Sequence, residues 1–271
     1  MTVSAHFSGD CFTNQQEKSG TILWLTGWSF PNTVFDRLHS LLPEFHHITV
    51  DYYGTADTPE EMLKLTERAA RDDLSPHAGE TSKGPLLIAG WSLGALLALR
   101  LAEKAGADGL LLLAGTARFT RPKEQKDRGW PDTHVRQMIK SLMKDRQEAE
   151  TKFRQSVITE TEWEAGLGAS LPPAGSWTTP ALIAGLQILR SEDCLSLLTE
   201  MECPALLIHG TEDNICPIGA AEELESLLPH AELVSLTGCG HAPFVGREAY
   251  IAEALRRWWL EQQEKRYSTT I

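Results

Sequence analysis

Ser92 stands in a Gly-x-Ser-x-Gly motif that runs from Gly90 to Gly94, between a short apolar run and a helical pattern. This arrangement is typical of a buried strand, a sharp turn and a helix, with the serine hydroxyl at the apex of the turn. A turn this tight leaves no room for side chains at the two glycines. The helix directs its first N–H groups, including that of Leu93, towards negative charge that develops near the serine. The motif therefore predicts a nucleophile at Ser92 and an oxyanion donor at Leu93.

A serine nucleophile needs a general base, and two later loops supply partners for it. Asp213 follows one apolar strand-like run, and His241 follows the next, between a glycine and an Ala-Pro pair. Reactive side chains gather at the carboxyl ends of the strands in an open α/β sheet. The chain order Ser92, Asp213, His241 predicts a triad in which His241 takes the serine proton and Asp213 orients the imidazole. Glu212 and Asp193 remain alternatives for the acid.

Trp28 follows another strand-like run, which ends at Thr26 and Gly27. The strand of this run is expected to neighbour the strand before Ser92, so the Trp28 N–H is predicted to be the second oxyanion donor. The alternative is that the indole only closes the floor of a pocket. His209, at the end of the apolar run before Asp213, is expected to pack rather than to act as the base.

Composition excludes several classes of protein. The chain has 271 residues, of which 42% are hydrophobic and 23% charged, and no apolar run approaches the length of a membrane span. The first residues lack the basic start and apolar core of a signal peptide, so a cytoplasmic location is expected. The five cysteines are scattered without metal-ligand spacing, which predicts reduced thiols and neither a metal site nor a cofactor. A net charge of -12 argues against nucleic acid as a partner.

The elements that would position these residues alternate along the chain. Apolar runs without a polar face are typical of strands in a parallel sheet that is covered on both sides. Predicted strands cover residues 21–25, 48–52, a run from 86 to the Ser92 turn, 109–114, 205–209 and 232–236, after a weak edge hairpin around residues 8–10. Predicted helices cover residues 32–42, 59–74, a stretch from 92 onwards and 247–262. This order predicts an α/β fold with a mostly parallel, doubly wound sheet.

The alternation breaks between residues 118 and 193, where the chain is helical, charged and punctuated by proline. Connections between the strands of a compact domain are usually far shorter. The segment is therefore predicted to be an inserted helical lid, and residues 1–117 and 194–271 are predicted to form the core. Residues 118–193 are called the insertion below.

Basic residues concentrate in the first half of the insertion. Residues 118–154 hold 11 Lys and Arg against 6 Asp and Glu, a net charge of +5, so the rest of the chain carries -17. Arg136, Lys140 and Lys144 recur every four residues and therefore share one face of a helix. Such a face is either simply solvated or it steers an acidic partner towards a nearby site. Charge alone leaves both interpretations open.

These motifs resemble the α/β-hydrolase superfamily over nearly the whole chain, and within it the pimeloyl-[acyl-carrier protein] methyl ester esterases of biotin synthesis. The matching pieces are Gly27-Trp28, Gly90-Trp91-Ser92-Leu93-Gly94, Trp130-Pro131, Gly185-Leu186-Gln187-Ile188-Leu189-Arg190 and His241-Ala242-Pro243-Phe244. The chain departs from the family at Thr26, where histidine is usual, and at Ser29, where glycine is usual.

The resemblance implies an α/β-hydrolase fold and a serine carboxylesterase that converts the methyl ester of pimeloyl-[acyl-carrier protein] to the free acid and methanol. It implies that Ser92, Asp213 and His241 form the triad. It also implies contacts from Trp28 and Leu93 to the ester carbonyl, and an acyl channel lined by Phe153. An acyl carrier protein bearing the substrate is the implied partner of a monomeric enzyme. The residues expected to dock this acidic partner are Arg136, Lys140, Lys144, Lys152 and Arg154.

Two other classes of function stay open. A small-molecule carboxylesterase, or a lyase like that of the menaquinone pathway, would use the same fold and would need no basic face on the insertion. A non-catalytic ligand receptor is disfavoured, because the chain retains all three triad residues and both oxyanion positions.

Overall fold

The computed structural model describes residues 19–54, 56–72 and 84–269, and these residues alternate between strands and helices. The strands are β1 (Thr21–Leu25), β2 (His46–Thr49), β3 (Leu86–Trp91), β4 (Gly109–Leu113), β5 (Ala205–Gly210) and β6 (Ala231–Leu236). The helices are α1 (Asp36–Leu41), α2 (Pro59–Asp72), α3 (Leu93–Ala105), α4 (Asp132–Lys144), α5 (Arg146–Gln155), α6 (Glu160–Glu164), α7 (Thr179–Ser191), α8 (Leu195–Leu198), α9 (Ile218–Leu227) and α10 (Glu248–Thr269). The hairpin expected around residues 8–10 and residues 73–74 of the predicted second helix lie outside the described residues.

The six strands form one parallel sheet in the order β2-β1-β3-β4-β5-β6. Strands β3, β4 and β5 are buried along their whole length, because helices cover their apolar side chains on both faces. The edge strands β2 and β6 are partly exposed. The predicted α/β fold with a doubly wound, parallel sheet is confirmed.

The strand order reverses between β1 and β3, since β2 lies on one side of β1 and the later strands lie on the other. In open α/β sheets, such a reversal leaves a crevice at the carboxyl ends of the strands, where ligands bind. The register brings these ends level: Leu25 pairs with Gly90, and Trp91 pairs with Leu113. The chain segments that carry Trp28 and Ser92 therefore both leave the sheet at this crevice.

Strand β2 begins and ends earlier than the predicted residues 48–52. It pairs with β1 from His46 opposite Thr21 to Thr49 opposite Trp24. Pairing starts where β1 starts, so the register of the neighbouring strand, rather than the apolar run, sets the boundaries. The apolar residues at 50 and 52 are buried beyond the ladder.

Two helices also differ from prediction. The predicted helix 32–42 opens with a 3₁₀ turn over Asn32–Phe35 before α1 begins. Helix α10 continues past residue 262 to its end at Thr269, and Arg266 in this added stretch donates to the Asp108 carboxylate at 2.6 Å. A contact between distant parts of the chain thus accompanies the longer helix.

Helices α4 to α7 lie in the insertion, between β4 and β5 in the chain. Helix α4 packs against α5 and α7, and α7 also contacts α2 and α3. Thr120 and Trp130 form an isolated parallel bridge near the start of the insertion. Helix α7 therefore connects the insertion to the helices beside the sheet. The domain boundaries at 118 and 193 stay a prediction.

None of the helices in the described part of the chain is long and apolar enough to cross a membrane. Within the same residues, no three potential ligands of His, Cys, Asp or Glu come together to hold a metal ion. The four described cysteines, Cys194, Cys203, Cys216 and Cys239, are free.

Candidate active site

Ser92 lies in a sharp turn between β3 and α3. Its backbone has φ 57° and ψ -117°, a strained conformation that is uncommon for residues other than glycine. A Cβ at Gly90 would lie 2.2 Å from the carbonyl oxygen of Gly94, and a Cβ at Gly94 would lie 2.0 Å from the carbonyl oxygen of Leu25. Only glycine fits at these two positions. The turn places the Ser92 hydroxyl at the carboxyl end of β3.

His241 lies in the loop after β6, with its imidazole against Ser92. Its Nε2 atom is 2.7 Å from Ser92 Oγ, and its Nδ1 atom is 2.7 Å from Asp213 Oδ2. Because a carboxylate only accepts, Nδ1–H donates to Asp213 and Nε2 accepts from the serine hydroxyl. The His241 N–H donates to the carbonyl of Val157 in the insertion (2.7 Å), and its carbonyl accepts from the Trp91 indole (2.7 Å). The backbone of His241 is therefore held between β3 of the sheet and the insertion.

Asp213 is buried in the loop after β5. Its Oδ1 atom accepts from the N–H groups of Ile215 (2.8 Å) and Cys216 (2.9 Å). Burial alone would raise the pKa of Asp213, but the electrostatic interaction with His241 and hydrogen bonds from His209 and His241 outweigh burial and lower the pKa to about 2. Asp213 is therefore an ionised acceptor near neutral pH.

Of the three acids that the sequence offered, Asp213 is the one that contacts His241. Glu212 is exposed, and its backbone N–H donates to the carbonyl of Cys239. The Asp193 carboxylate lies 3.3 Å from the Arg118 guanidinium at the surface.

His209 is a second buried histidine beside the same carboxylate. Its Nε2 atom donates to the carbonyl of Cys216 at 2.6 Å and lies 3.4 Å from Asp213 Oδ2. The sequence prediction gave His209 a packing role and missed this contact. The four-residue spacing of His209 and Asp213 across a tight turn is the signal that could have indicated it.

Trp28 and Leu93, the two predicted oxyanion donors, both extend their side chains to helix α7. Both side chains converge on Gly185 of α7, where an added Cβ would lie 2.9 Å from Trp28 Cδ1 and 3.1 Å from Leu93 Cδ2. The Trp28 indole donates to the carbonyl of Leu182 on the same helix (2.7 Å). The Leu93 N–H is the first of α3 and has no acceptor within the helix. Helix α7 therefore packs directly against the start of α3 and the loop after β1.

Phe153 of α5 connects this region with a groove in the insertion. Its ring lies edge-on to that of Trp28, with the centroids 4.7 Å apart at 89°. It also lines a groove of about 380 Å³ between α4 and α5. The other residues that line the groove are Trp130, His134, Gln137, Met138, Ser141, Ala149, Lys152 and Ser156. One aromatic ring thus separates the groove from Trp28.

Glu162 of α6 ties the insertion to the histidine loop. Its carboxylate is 4% exposed and accepts from the N–H groups of Gly240 (3.1 Å) and Thr159 (2.9 Å). The second oxygen lies 2.8 Å from the Arg247 guanidinium. The sequence prediction missed Glu162, although the pair of Thr159 and Glu162 forms a capping box that its spacing could have indicated.

A model of the alpha/beta hydrolase family matches residues 20–254 of this sequence. The chain belongs to the α/β-hydrolase family. The matched residues include the six strands found in the described part of the chain, together with Ser92, Asp213 and His241.

The hydrolase is similar to curated esterases over most of its length. A pimeloyl-[acyl-carrier protein] methyl ester esterase from Nitrosomonas europaea is 32% identical over 83% of this chain and 89% of the relative. One of the same name from Xanthomonas oryzae pv. oryzae is 28% identical over 88% of this chain and 94% of the relative. A solved esterase from Exiguobacterium antarcticum shares the fold, with a TM-score of 0.73 and 20% identity, over 90% of this chain and 92% of that chain. The family and these relatives show that the protein is a carboxylic ester hydrolase.

Four of the predicted docking residues lie at the surface of the hydrolase. Lys140 and Lys144 are exposed on α4, and no ion pair to either is found among the described residues. Arg136 pairs with Asp132 at 2.5 Å on α4. Lys152 pairs with an exposed glutamate one turn earlier on α5. Pairs this exposed leave most of the positive charge open to solvent and to a partner.

Arg154 is not part of this exposed surface, which corrects the docking role predicted for it. Its guanidinium donates to the carbonyls of Ser29 (3.1 Å) and Pro172, and lies 4.0 Å from the centroid of the Phe30 ring. Two residues along a helix correspond to a rotation of about 200°. Arg154 therefore faces the interior while Lys152 faces solvent.

Proposed function

We propose that this hydrolase removes the methyl ester of pimeloyl-[acyl-carrier protein], giving pimeloyl-[acyl-carrier protein] and methanol in biotin synthesis. The observation that carries the proposal is the hydrogen-bonded relay of Ser92, His241 and Asp213 in a chain 32% identical to an esterase of that name. The proposal includes the cytoplasmic location and the monomeric state expected from the sequence.

In the first half-reaction, Ser92 Oγ attacks the ester carbonyl carbon while His241 Nε2 takes the hydroxyl proton. Asp213 is ionised, with a pKa of about 2, and stabilises the imidazolium that forms. The backbone N–H groups of Trp28 and Leu93 receive the negative charge on the carbonyl oxygen. The bond from the carbonyl carbon to the methoxy oxygen then breaks, and methanol leaves with the proton from His241.

In the second half-reaction, water attacks the acyl group that is bound to Ser92 Oγ. His241 Nε2 takes a proton from this water as the new bond to carbon forms. The bond between the carbon and Ser92 Oγ then breaks, and the proton returns to the serine. The product is the free carboxylic acid, still attached through its other end to the carrier.

The groove at Phe153 supports a substrate carried on a protein. Gln137 and Ser141 line the groove, and Lys140 and Lys144 each lie three residues further along α4, so both lysines lie beside its rim. Lys152 lines the groove from α5. Positive charge around an opening raises the association rate of an acidic partner. We assign carrier docking to these three lysines and Arg136, and the acyl channel to Phe153.

The experiment compares two methyl esters with the same acyl chain. One is methyl pimeloyl-carrier protein, and the other is methyl pimelate attached as a thioester to a short thiol without the carrier. We expect kcat/KM to be at least about tenfold higher for the carrier-bound ester at low salt, and Ser92→Ala to hydrolyse neither. Equal values would reject carrier recognition and favour a small-molecule carboxylesterase. If the enzyme hydrolyses p-nitrophenyl butyrate but neither of the two methyl esters, the proposed substrate is rejected.

A further inference from the structure

The loop that follows β1 holds one residue in an unfavourable backbone conformation. Ser29 has φ 68° and is completely buried. Residues other than glycine are uncommon in this left-handed region, because their Cβ crowds the following carbonyl oxygen. Such strain persists where the surrounding structure holds it in place. Glycine would adopt the same φ without strain.

Glu150 of α5 makes the contact that holds Ser29. The Ser29 hydroxyl donates to Glu150 Oε1 at 2.6 Å, and the Arg146 guanidinium donates to Glu150 Oε2 at 2.7 Å. Glu150 is 4% exposed, so its carboxylate lies inside the protein between the loop and the insertion. Hydrogen bonds to an ionised group are short and strong. A directed, buried bond therefore opposes the strain at Ser29.

Two more donors from the insertion bind the backbone of the same loop. Arg154 donates to the carbonyl of Ser29 at 3.1 Å, and the Trp177 indole donates to the carbonyl of Phe30 at 3.0 Å. The Arg146 guanidinium also donates to the carbonyl of Trp177. The conformation of this loop is therefore set by α5 and the chain before α7, and not by β1 alone.

We propose that Glu150 is a positioning residue for the oxyanion hole. By holding Ser29 at positive φ, it fixes the backbone of Trp28, whose N–H is an oxyanion donor in the proposed function on which this inference rests. A 3₁₀ turn begins at Asn32 and holds the chain that follows the loop. If φ of Ser29 relaxes, the chain before Ser29 moves instead, and the peptide groups of Trp28 rotate. A displacement of about 1 Å in such a group costs about 10²-fold in rate. Glu150 acts through Ser29 and does not contact the substrate.

The test uses p-nitrophenyl butyrate, a small ester that needs no carrier. Glu150→Ala removes the acceptor, and we expect kcat to fall by about 10- to 100-fold. We expect KM to change by less than about threefold, because the misplaced donor acts on the transition state. Glu150→Gln keeps an oxygen that accepts from Ser29, so its loss of kcat is smaller. Glu148→Ala is the matched control: it removes an exposed carboxylate from the same helix and leaves kcat unchanged.

Changes at Ser29 separate positioning from folding. Ser29→Ala removes the hydroxyl and keeps the strain of a Cβ, whereas Ser29→Gly removes both. We expect Ser29→Gly to be at least about tenfold faster than Ser29→Ala. The double variant Glu150→Ala/Ser29→Gly should likewise regain about tenfold in kcat over Glu150→Ala. Each kcat is divided by the folded fraction measured by circular dichroism, so lost stability alone does not produce this pattern.

Several results would overturn the inference. The first is a wild-type kcat in folded Glu150→Ala. The second is a kcat of Glu150→Ala/Ser29→Gly that is no higher than that of Glu150→Ala. If Glu150→Ala does not fold, equal kcat values for Ser29→Ala and Ser29→Gly would overturn the inference. None of these variants alters Ser92, so failure of the proposed catalysis appears separately, as activity retained by Ser92→Ala.

Discussion

The carboxylate of Glu162 accepts a hydrogen bond from the backbone N–H of Gly240, at 3.1 Å, directly before His241 in the chain. Glu162 lies on α6 of the insertion, and Gly240 lies in the loop after β6. The Val157 carbonyl, also in the insertion, accepts from the His241 N–H at 2.7 Å. On the other side of the crevice, Glu150 holds Ser29. The insertion therefore contacts both loops that shape the candidate site, through one buried glutamate on each side.

Glu162→Ala should impair the enzyme and destabilise it. The change leaves Arg247 without its buried partner and removes the contact that fixes Gly240, so we expect a loss of about 3 kcal/mol in the free energy of unfolding. We expect kcat for p-nitrophenyl butyrate to fall by about tenfold, because the His241 imidazole is less well placed. Glu160→Ala, an exposed glutamate on the same helix, is the control. If the folded Glu162→Ala variant keeps the wild-type kcat, Glu162 is not needed to position His241.

Asp213→Asn should lower kcat far more than Glu212→Gln. An amide at Asp213 favours the wrong tautomer of His241, and the loss in the serine-protease precedent is about 10⁴-fold. Glu212 is exposed, and its variant should stay within about twofold of the wild type. Steady-state kinetics on p-nitrophenyl butyrate measure both. The opposite ranking would move the acid of the triad to Glu212.

His39 should make the fold less stable in mild acid. Its ring stacks on His47 with the centroids 4.6 Å apart. Burial, and then the nearby His47, lower the pKa of His39 from 6.5 to about 4. Between these two values the unfolded chain binds a proton that the folded protein does not, so stability falls as the pH falls from 6.5 towards 4. Well above pH 6.5, His39 is neutral in both the folded and the unfolded state and contributes no pH dependence.

Urea unfolding at pH 7 and pH 5 tests this prediction. The drop in the free energy of unfolding between the two pH values should be smaller in His39→Phe than in the wild type. We expect a difference of about 1 kcal/mol, after discounting for the solvent that reaches the ring. His46→Phe, at an exposed histidine, is the matched control and should keep the wild-type drop. If the free energy of unfolding of His39→Phe falls between pH 7 and pH 5 as much as that of the wild type, other groups cause the sensitivity to acid.

Reversing three charges on α4 should weaken carrier recognition and leave the chemistry intact. We expect Arg136→Glu/Lys140→Glu/Lys144→Glu to lower kcat/KM for methyl pimeloyl-carrier protein by about tenfold or more at low salt, and the loss to shrink as salt rises. Hydrolysis of p-nitrophenyl butyrate should stay near the wild-type rate. The matched control reverses the exposed charges of Lys64, Arg68 and Arg71 on α2. The same loss in both triple variants would mean that net charge, and not this face, attracts the carrier.

The part of the site that is local in the chain could be predicted from the sequence. Any strand-to-helix turn as sharp as that at Ser92 leaves no space for a Cβ at positions 90 and 94, so both must be glycine. The Gly-x-Ser-x-Gly motif therefore predicts the turn as well as the nucleophile. Asp213 and His241 could be located because the carboxyl ends of parallel strands meet at one edge of a sheet. Strand β2 was misplaced because its boundaries depend on the register with β1.

The contacts between the insertion and the two loops could not be predicted. Glu150 and Arg154 look like ordinary members of a charged helix, and the sequence does not say which face of α5 meets the loop after β1. Arg154 was expected to dock the carrier, whereas the rotation of the helix turns it inwards. For Glu162, the capping box is a local signal, but its bond to Gly240 joins residues 78 positions apart.

The intact mass of the carrier protein gives the most direct test of the proposed reaction. Methyl pimeloyl-carrier protein is incubated with the wild-type enzyme or with Ser92→Ala, and the carrier is then weighed by mass spectrometry. The account predicts that the wild type lowers the mass by one CH₂ group and releases methanol, and that Ser92→Ala leaves the mass unchanged. A carrier stripped of the whole acyl group would mean that the enzyme cleaves the thioester instead. An unchanged mass with wild-type enzyme that still hydrolyses p-nitrophenyl butyrate would contradict the proposed function.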